Sequence, residues 1–198
     1  GVQEDAHELL MKLLEELDWP RNIHSSVPSI IQKTFCGEAR YEMTCRTCLT
    51  CTVTTENIKE LSYSMNGENG TGLTISNLTQ NHFKSEQVNG YSCQICETKT
   101  QADRTTQWNQ TPRVLCIQLH RFSNDGQKIN TNVEIEERID MTEYVCKNST
   151  SLTGGESKAV YSLKAAVVHL GPTVHNGHYI AICRDTSNSG WYRYDDVD

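Results

Sequence analysis

Two Cys-x-x-Cys steps place the tightest constraint on this chain: Cys45-Arg-Thr-Cys48 and Cys93-Gln-Ile-Cys96, with residues 49–92 between them. A step of this spacing turns two thiolates to one side of a tight loop. Two such loops at the tips of neighbouring hairpins close a four-sulfur tetrahedron, a donor set that selects Zn²⁺. Four protein ligands leave no open position for a substrate water, so the expected role of the zinc is structural. Cys48-Leu-Thr-Cys51 is an overlapping third step; Cys45 and Cys48 are preferred as ligands, with Cys51 an adjacent free thiol. The nine cysteines are odd in number and cannot all pair within the chain. With the metal spacing, this points to a reducing compartment, cytoplasm or nucleus.

The residues flanking the site set its architecture. Residues 34–44 and 52–65 are rich in β-branched side chains and read as strands on either side of the first step. Residues 66–72 read as a turn, and 74–83 as a short helix opened by a Thr or Ser cap. Residues 113–122, 161–170, 178–184 and 191–194 read as further strands, with 147–158 a mobile insertion. Residues 5–18 carry the strongest helical pattern, with Ala6, Leu9, Leu10, Leu13, Leu14 and Leu17 on one face and Asp5 and Glu8 spaced as a capping box. So apolar a face requires a partner, and residues 21–33 offer little. The expectation is that the natural protein continues upstream of Gly1, and that both ends are cut.

Charge narrows the function classes. Lys and Arg number 18 against 25 Asp and Glu, a net charge of −7, which opposes a nucleic-acid binder. No apolar run approaches the roughly 18 residues of a membrane span.

A second constellation lies near the C-terminus, in Gly177-His178-Tyr179 and Trp191-Tyr-Arg-Tyr-Asp195-Asp196. If Arg184 pairs with Trp191 in a hairpin, Ile180 faces Asp195. His178 and Asp195 are then diagonal neighbours on one face, roughly 7–8 Å apart at Cα. Asp196 would point to the other face. A carboxylate so placed fixes the tautomer of the imidazole, and the second ring nitrogen is free to act as a general base. Gly177 permits close backbone approach beside it. A nucleophile is not evident: Cys116 and Cys183 lie inside strands, the step cysteines are metal ligands, and no helix starts after Cys36 or Cys146.

These residues resemble the ubiquitin-specific proteases, papain-like cysteine peptidases that cleave after the C-terminal glycine of ubiquitin. The opening Gly-Val-Gln-Glu-Asp-Ala-His-Glu-Leu-Leu is similar to the family's Gln-Gln-Asp-Ala-His-Glu-Phe helix, with Glu4 for the second Gln and Leu9 for the Phe. Phe35-Cys-Gly-Glu and the two steps resemble its zinc-bearing fingers, and residues 112–122 its Pro-x-x-Leu-x-x-x-Leu-x-Arg-Phe strand. Residues 161–169, Gly177-His-Tyr179 and residues 191–196 resemble its histidine box and terminal strand.

The resemblance implies an α+β fold of the papain-like, ubiquitin-specific protease type: a remnant of helical thumb over 1–33, zinc-ribbon fingers over 34–110 with an insertion at 66–90, and a β-rich palm over 111–198. It implies that His178 is the base, that Asp195 orients it, and that Asp196 assists at the oxyanion side, as in some members. Asp5 and Glu8 match positions that meet arginines of the ubiquitin tail. Arg121, Phe122, Gly177 and Tyr179 match positions lining its channel. The family's Asn-x-x-Cys box has no counterpart, so the full protein is expected to be a thiol deubiquitinase and this chain alone inactive. The expected partners are ubiquitin and ubiquitinated proteins, with no nucleic acid and no membrane, and the chain is expected to be a monomer. The alternatives are a catalytically inactive ubiquitin-binding relative and a zinc-ribbon interaction module.

Overall fold

The computed structural model describes residues 5–18, 27–65, 72–123, 126–147, 158–173, 176–187 and 190–196. Of the turn expected at 66–72 and the insertion expected at 147–158, residues 66–71 and 148–157 lie outside them. Helix α1 (Ala6–Asp18) is followed by α2 (Ile30–Phe35) and the strands β1 (Gly37–Cys45), β2 (Cys51–Ile58), β3 (Glu60–Ser64) and β4 (Leu73–Thr74). Helix α3 (Ile75–Phe83) leads into the long strands β5 (Glu86–Cys93) and β6 (Thr98–Gln110), then β7 (Cys116–His120), β8 (Val133–Glu134) and β9 (Arg138–Asp140). The chain closes with β10 (Val160–Ser162), β11 (Ala165–Thr173), β12 (Asn176–Arg184) and β13 (Trp191–Tyr194).

Two sheets position everything that follows. The first runs β2-β1-β6-β5, so the β1–β2 and β5–β6 hairpins lie side by side with their tips at the same end. The second is the antiparallel ladder β11-β12-β13. A separate pair, β3 and β7, runs in parallel, Leu61 opposite Ile117 and Tyr63 opposite Leu119. The core gathers from Leu61, Tyr63, Met65, Leu73, Ile75, Leu78, Phe83, Trp108, Met141 and Ala159, with Ile117 and Leu119 packed against it.

Three differences from the sequence reading have local causes. Helix α2 runs through Thr34 and Phe35, where the strand was expected to begin. Ser29 caps it by accepting from the Gln32 N–H at 3.0 Å, and the Gln32 side chain accepts from Ser29 N at 3.2 Å, a Ser-x-x-Gln capping box. Of the insertion expected at 66–90, the helix expected over 74–83 forms as α3, opened by a Thr74–Asn77 capping box and sending Ile75, Leu78 and Phe83 into the core, while residues 86–90 belong to β5. The single strand expected over 161–170 is broken at 163–164. There the chain leaves β9 for β12, with Leu163 N bonded to Glu137 O and Arg184 N to Lys164 O, both at 2.8 Å.

Among the described residues α1 buries only Leu14, while Leu9, Leu10, Leu13 and Leu17 are exposed. Among the described residues no helix is long and apolar enough to cross a membrane.

Gly37, at the start of β1, shows how tightly the core is filled. A Cβ there would stand 2.5 Å from Trp108 Cζ3, 2.7 Å from Pro112 Cδ and 2.9 Å from Gln110 O. Gly37→Ala is expected to cost about 1–3 kcal/mol by overpacking, a melting point lower by roughly 2–12 °C for a chain of this size. An unchanged melt would mean that the Trp108 wall yields freely.

Candidate functional sites: a four-cysteine cluster and a histidine–aspartate pair

The cysteine cluster is built by the two hairpin tips. In each, the residue after the second cysteine turns left-handed, Leu49 at φ +60° and Glu97 at φ +53°, and brings the chain back into the next strand. Leu49 N closes the first tip on Cys45 O at 2.9 Å. The sulfurs of Cys45, Cys48, Cys93 and Cys96 all lie within 4.8 Å of one another. Cys45 Sγ is 3.9 Å from Cys96 Sγ, and Cys48 Sγ is 3.6 Å from Cys93 Sγ. A tetrahedron with bonds of about 2.3 Å has sulfur–sulfur edges of about 3.8 Å, so the four thiols fit a zinc ion.

Hydrogen bonds within the cluster move two of the thiols in opposite directions. The Thr100 hydroxyl, 3.3 Å from Cys45 Sγ, is the largest influence pulling that thiol down to about 6. The neighbouring thiols, Cys48 first, push Cys96 up to about 12. Without positive charge the four cannot all ionise together. Cys51 sits exposed at the start of β2 and is not among the clustered sulfurs.

The histidine site is built by the β11-β12-β13 ladder. Arg184 pairs with Trp191 and Ala181 with Tyr194, the register the sequence suggests. Beyond the last pair the strand direction carries Asp195 to His178, where Oδ1 is 2.5 Å from Nε2. Asp195 Oδ2 accepts from Arg193 Nη2, so both carboxylate oxygens are held. The His178 bond, before the Arg193 charge, holds the Asp195 carboxyl below the usual range against a smaller effect of burial.

Asp196 departs from the reading that put it on the opposite face. Its φ of +41° is a left-handed turn that ends the strand alternation, and Oδ2 comes to 3.9 Å from His178 Nδ1. The imidazole thus has a carboxylate on each nitrogen's side, one close and one distant.

The lowered pKa of Asp195 makes its stability contribution depend on pH. Its contribution to stability is fully present above the unfolded carboxylate value of about 3.9 and is lost as the pH falls through the lower folded value. The urea midpoint of the wild type should therefore fall as the pH drops below about 4, with that component missing in Asp195→Asn. Parallel pH curves for the two proteins would contradict it.

The remaining sequence-predicted residues have partners of their own. Asp5 caps α1, its Oδ1 accepting from His7 N at 2.7 Å and Glu8 N at 3.3 Å. The Glu8 carboxylate meets Lys12 at 2.7 Å in place of the reciprocal capping bond. Tyr179 is reached by the α1 N-terminus: its hydroxyl is raised first by burial, then by the Asp5 charge, and the Ala6 amide bonds it. Phe122 and Tyr179 each stand edge-on to the His169 ring, with centroids 5.4 and 5.0 Å away. Arg121 turns to the Thr131 carbonyl, and burial lowers its guanidinium.

Gly177 is needed where it stands, since a Cβ would lie 2.1 Å from His169 Nε2. The sequence reading missed His7, whose Nε2 meets Glu60 and ties α1 to β3. It also missed Arg193; period-two alternation from Asp195 was the available signal.

The sequence profile of the ubiquitin carboxyl-terminal hydrolase family matches residues 1–198. Ubiquitin carboxyl-terminal hydrolase 48 of Danio rerio is 30% identical over 99% of this chain and 19% of its own length. The Rattus norvegicus protein of the same name is 31% identical over 100% and 19%. Ubiquitin carboxyl-terminal hydrolase 36 of Drosophila erecta is 30% identical over 99% and 18%.

Two solved structures share the fold. The SAGA DUB module Ubp8/Sgf11/Sus1/Sgf73 bound to monoubiquitin matches at TM-score 0.81 and 23% identity, covering 98% of this chain and 43% of that one. The same module bound to ubiquitin aldehyde matches at TM-score 0.79 and 25% identity, over 98% and 44%. The chain therefore belongs to the ubiquitin carboxyl-terminal hydrolase family, with the α+β fold of a ubiquitin-specific protease catalytic domain. It spans about a fifth of the length of these curated relatives.

Proposed function

We propose that this chain is the fingers and palm of a thiol deubiquitinase that hydrolyses the bond after the C-terminal glycine of ubiquitin, with zinc as a structural tie between the finger tips. The observation that carries this is the His178–Asp195 bond at 2.5 Å. With Nε2 donating to Asp195, Nδ1 is left to take a thiol proton.

The thiolate attacks the glycine carbonyl carbon, and the imidazolium returns its proton to the leaving amine as the carbon–nitrogen bond breaks. Water, deprotonated by the same nitrogen, then releases ubiquitin from the acyl-enzyme. Asp195 stabilises the imidazolium throughout, and Asp196 adds negative charge on the Nδ1 side. All nine cysteines are among the described residues, and no cysteine is hydrogen-bonded to His178. The nucleophile is accordingly assigned to a segment outside these residues, and the chain alone is inactive. All nine cysteines are free thiols, which suits a reducing compartment.

Ubiquitin recognition rests on the α1 N-terminus, where Asp5 stands beside Tyr179, and on the next turn with Glu8. The two carboxylates are proposed to meet arginines of the ubiquitin tail, which threads past Arg121, Phe122, Gly177 and Tyr179. The test is titration of monoubiquitin into the chain. Asp5→Asn with Glu8→Gln keeps the cap and removes both charges. Two surface ion pairs of about 0.2–1 kcal/mol each should weaken binding roughly 2- to 30-fold, and the difference should shrink at high salt. No binding by the wild type, or equal affinity of the variant, would count against the assignment.

A further inference from the structure

Lys128 bridges to the channel residue Phe122 and reaches across to β11. Its half-buried ammonium donates to three acceptors: His169 Nδ1 at 3.2 Å, His169 O at 2.8 Å and Gly171 O at 2.8 Å. An ammonium carries three protons, so all of its capacity is spent on one short stretch of strand.

Because Nδ1 accepts from Lys128, the proton of the neutral His169 ring resides on Nε2. Burial first, then the Lys128 charge, lower the ring's pKa, against a smaller pull from Asp5. That Nε2 is buried and has no partner. It stands 2.1 Å from where a Gly177 Cβ would be, with Phe122 and Tyr179 edge-on at its sides. A buried N–H without an acceptor is a cost. The ring is held here as a wedge under the backbone of Gly177, with no hydrogen bond from Nε2 in return.

The consequence falls on the next residue. His178 pairs across the ladder with Leu170, the residue between the two whose carbonyls Lys128 holds. Lys128 therefore fixes both neighbours of the strand partner of His178 and the ring that supports the residue before it.

We propose that Lys128 is a positioning residue for His178, clamping the end of β11 and the neutral His169 ring so that the imidazole of His178 meets Asp195. The proposal rests on reading His178 as the general base.

The test uses this chain labelled with ¹⁵N in its seven histidines. In the wild type His178 should give a far-downfield proton for the bond from Nε2 to Asp195, and His169 the ¹⁵N pattern of a neutral ring protonated on Nε2. Lys128→Met, similar in length and uncharged, should abolish or broaden the His178 proton and mix the His169 tautomers. Lys33→Met, on the exposed surface of α2, should change neither.

A His178 proton that survives Lys128→Met unaltered overturns the clamp. So does a wild-type His169 that is charged at neutral pH or carries its proton on Nδ1, an observation that needs no variant to fold. A wild type without the His178 proton removes the pair itself, and the proposal with it. That failure appears before any substitution is made and is thus distinct from failure of the clamp.

Discussion

Cys93→Ser is expected to strip the zinc from the finger tips and to lower the melting point more than any other single thiol replacement outside the cluster. Cys93 is buried, and its sulfur lies 3.6 Å from that of Cys48. A serine hydroxyl is a poor zinc ligand at neutral pH, and the three remaining thiols leave the shell open.

The ion is proposed to join two hairpins whose tips are otherwise linked by the long β1–β6 ladder, so its loss frees the tips and leaves that ladder paired. Losing a structural metal belongs among the mechanisms that cost about 4 kcal/mol or more. At roughly 2–4 °C per kcal/mol this is a fall of roughly 8–16 °C. Metal analysis should read about one zinc per chain for the wild type and close to none for Cys93→Ser. Cys51→Ser, outside the cluster, should keep both metal and melt. Retained zinc in Cys93→Ser would remove that residue from the shell.

The second large effect is catalytic. In the protein that carries this chain together with its nucleophile, His178→Ala should lower kcat/KM for a ubiquitin C-terminal amide by about 10²–10⁴-fold, the usual worth of a positioned general base. That range corresponds to about 3–5 kcal/mol of transition-state stabilisation. Ubiquitin affinity should hold, because His178 acts on the proton and not on the tail. Asp195→Asn should fall in the same direction, since an amide can present its N–H to the ring and favour the wrong tautomer. A lost affinity with unchanged kcat would instead make His178 a binding residue.

The sequence reaches far into both sites because each depends on short-range rules. Two residues between cysteines fix a turn, and the strand period fixes which residues of β12 and β13 share a face. Those rules anticipate the four-sulfur cluster and the His178–Asp195 juxtaposition. They fail where a single dihedral changes: Asp196 crosses to the His178 side because its φ is +41°, and no pattern of residue types announces that.

Helix α2 was missed for a different reason. Its six residues carry two β-branched isoleucines, and the Ser29–Gln32 capping box outweighs their strand propensity. The clamp of Lys128 on β11 joins residues 41 and 43 positions apart, a contact set by tertiary packing alone. The apolar face of α1 was legible as a pattern, yet among the described residues only Leu14 is covered.

In the proposed function the imidazole of His178 directs a cysteine thiolate onto the terminal carbonyl of ubiquitin. Ubiquitin bearing a thiol-reactive group in place of its last carboxylate tests this in one step, with intact mass as the readout. The protein carrying this chain and its nucleophile should form a one-to-one adduct, with the rate collapsing in His178→Ala, and the 198-residue chain alone should form none. An adduct that forms at the wild-type rate in His178→Ala, or no adduct in the wild type, would contradict the account.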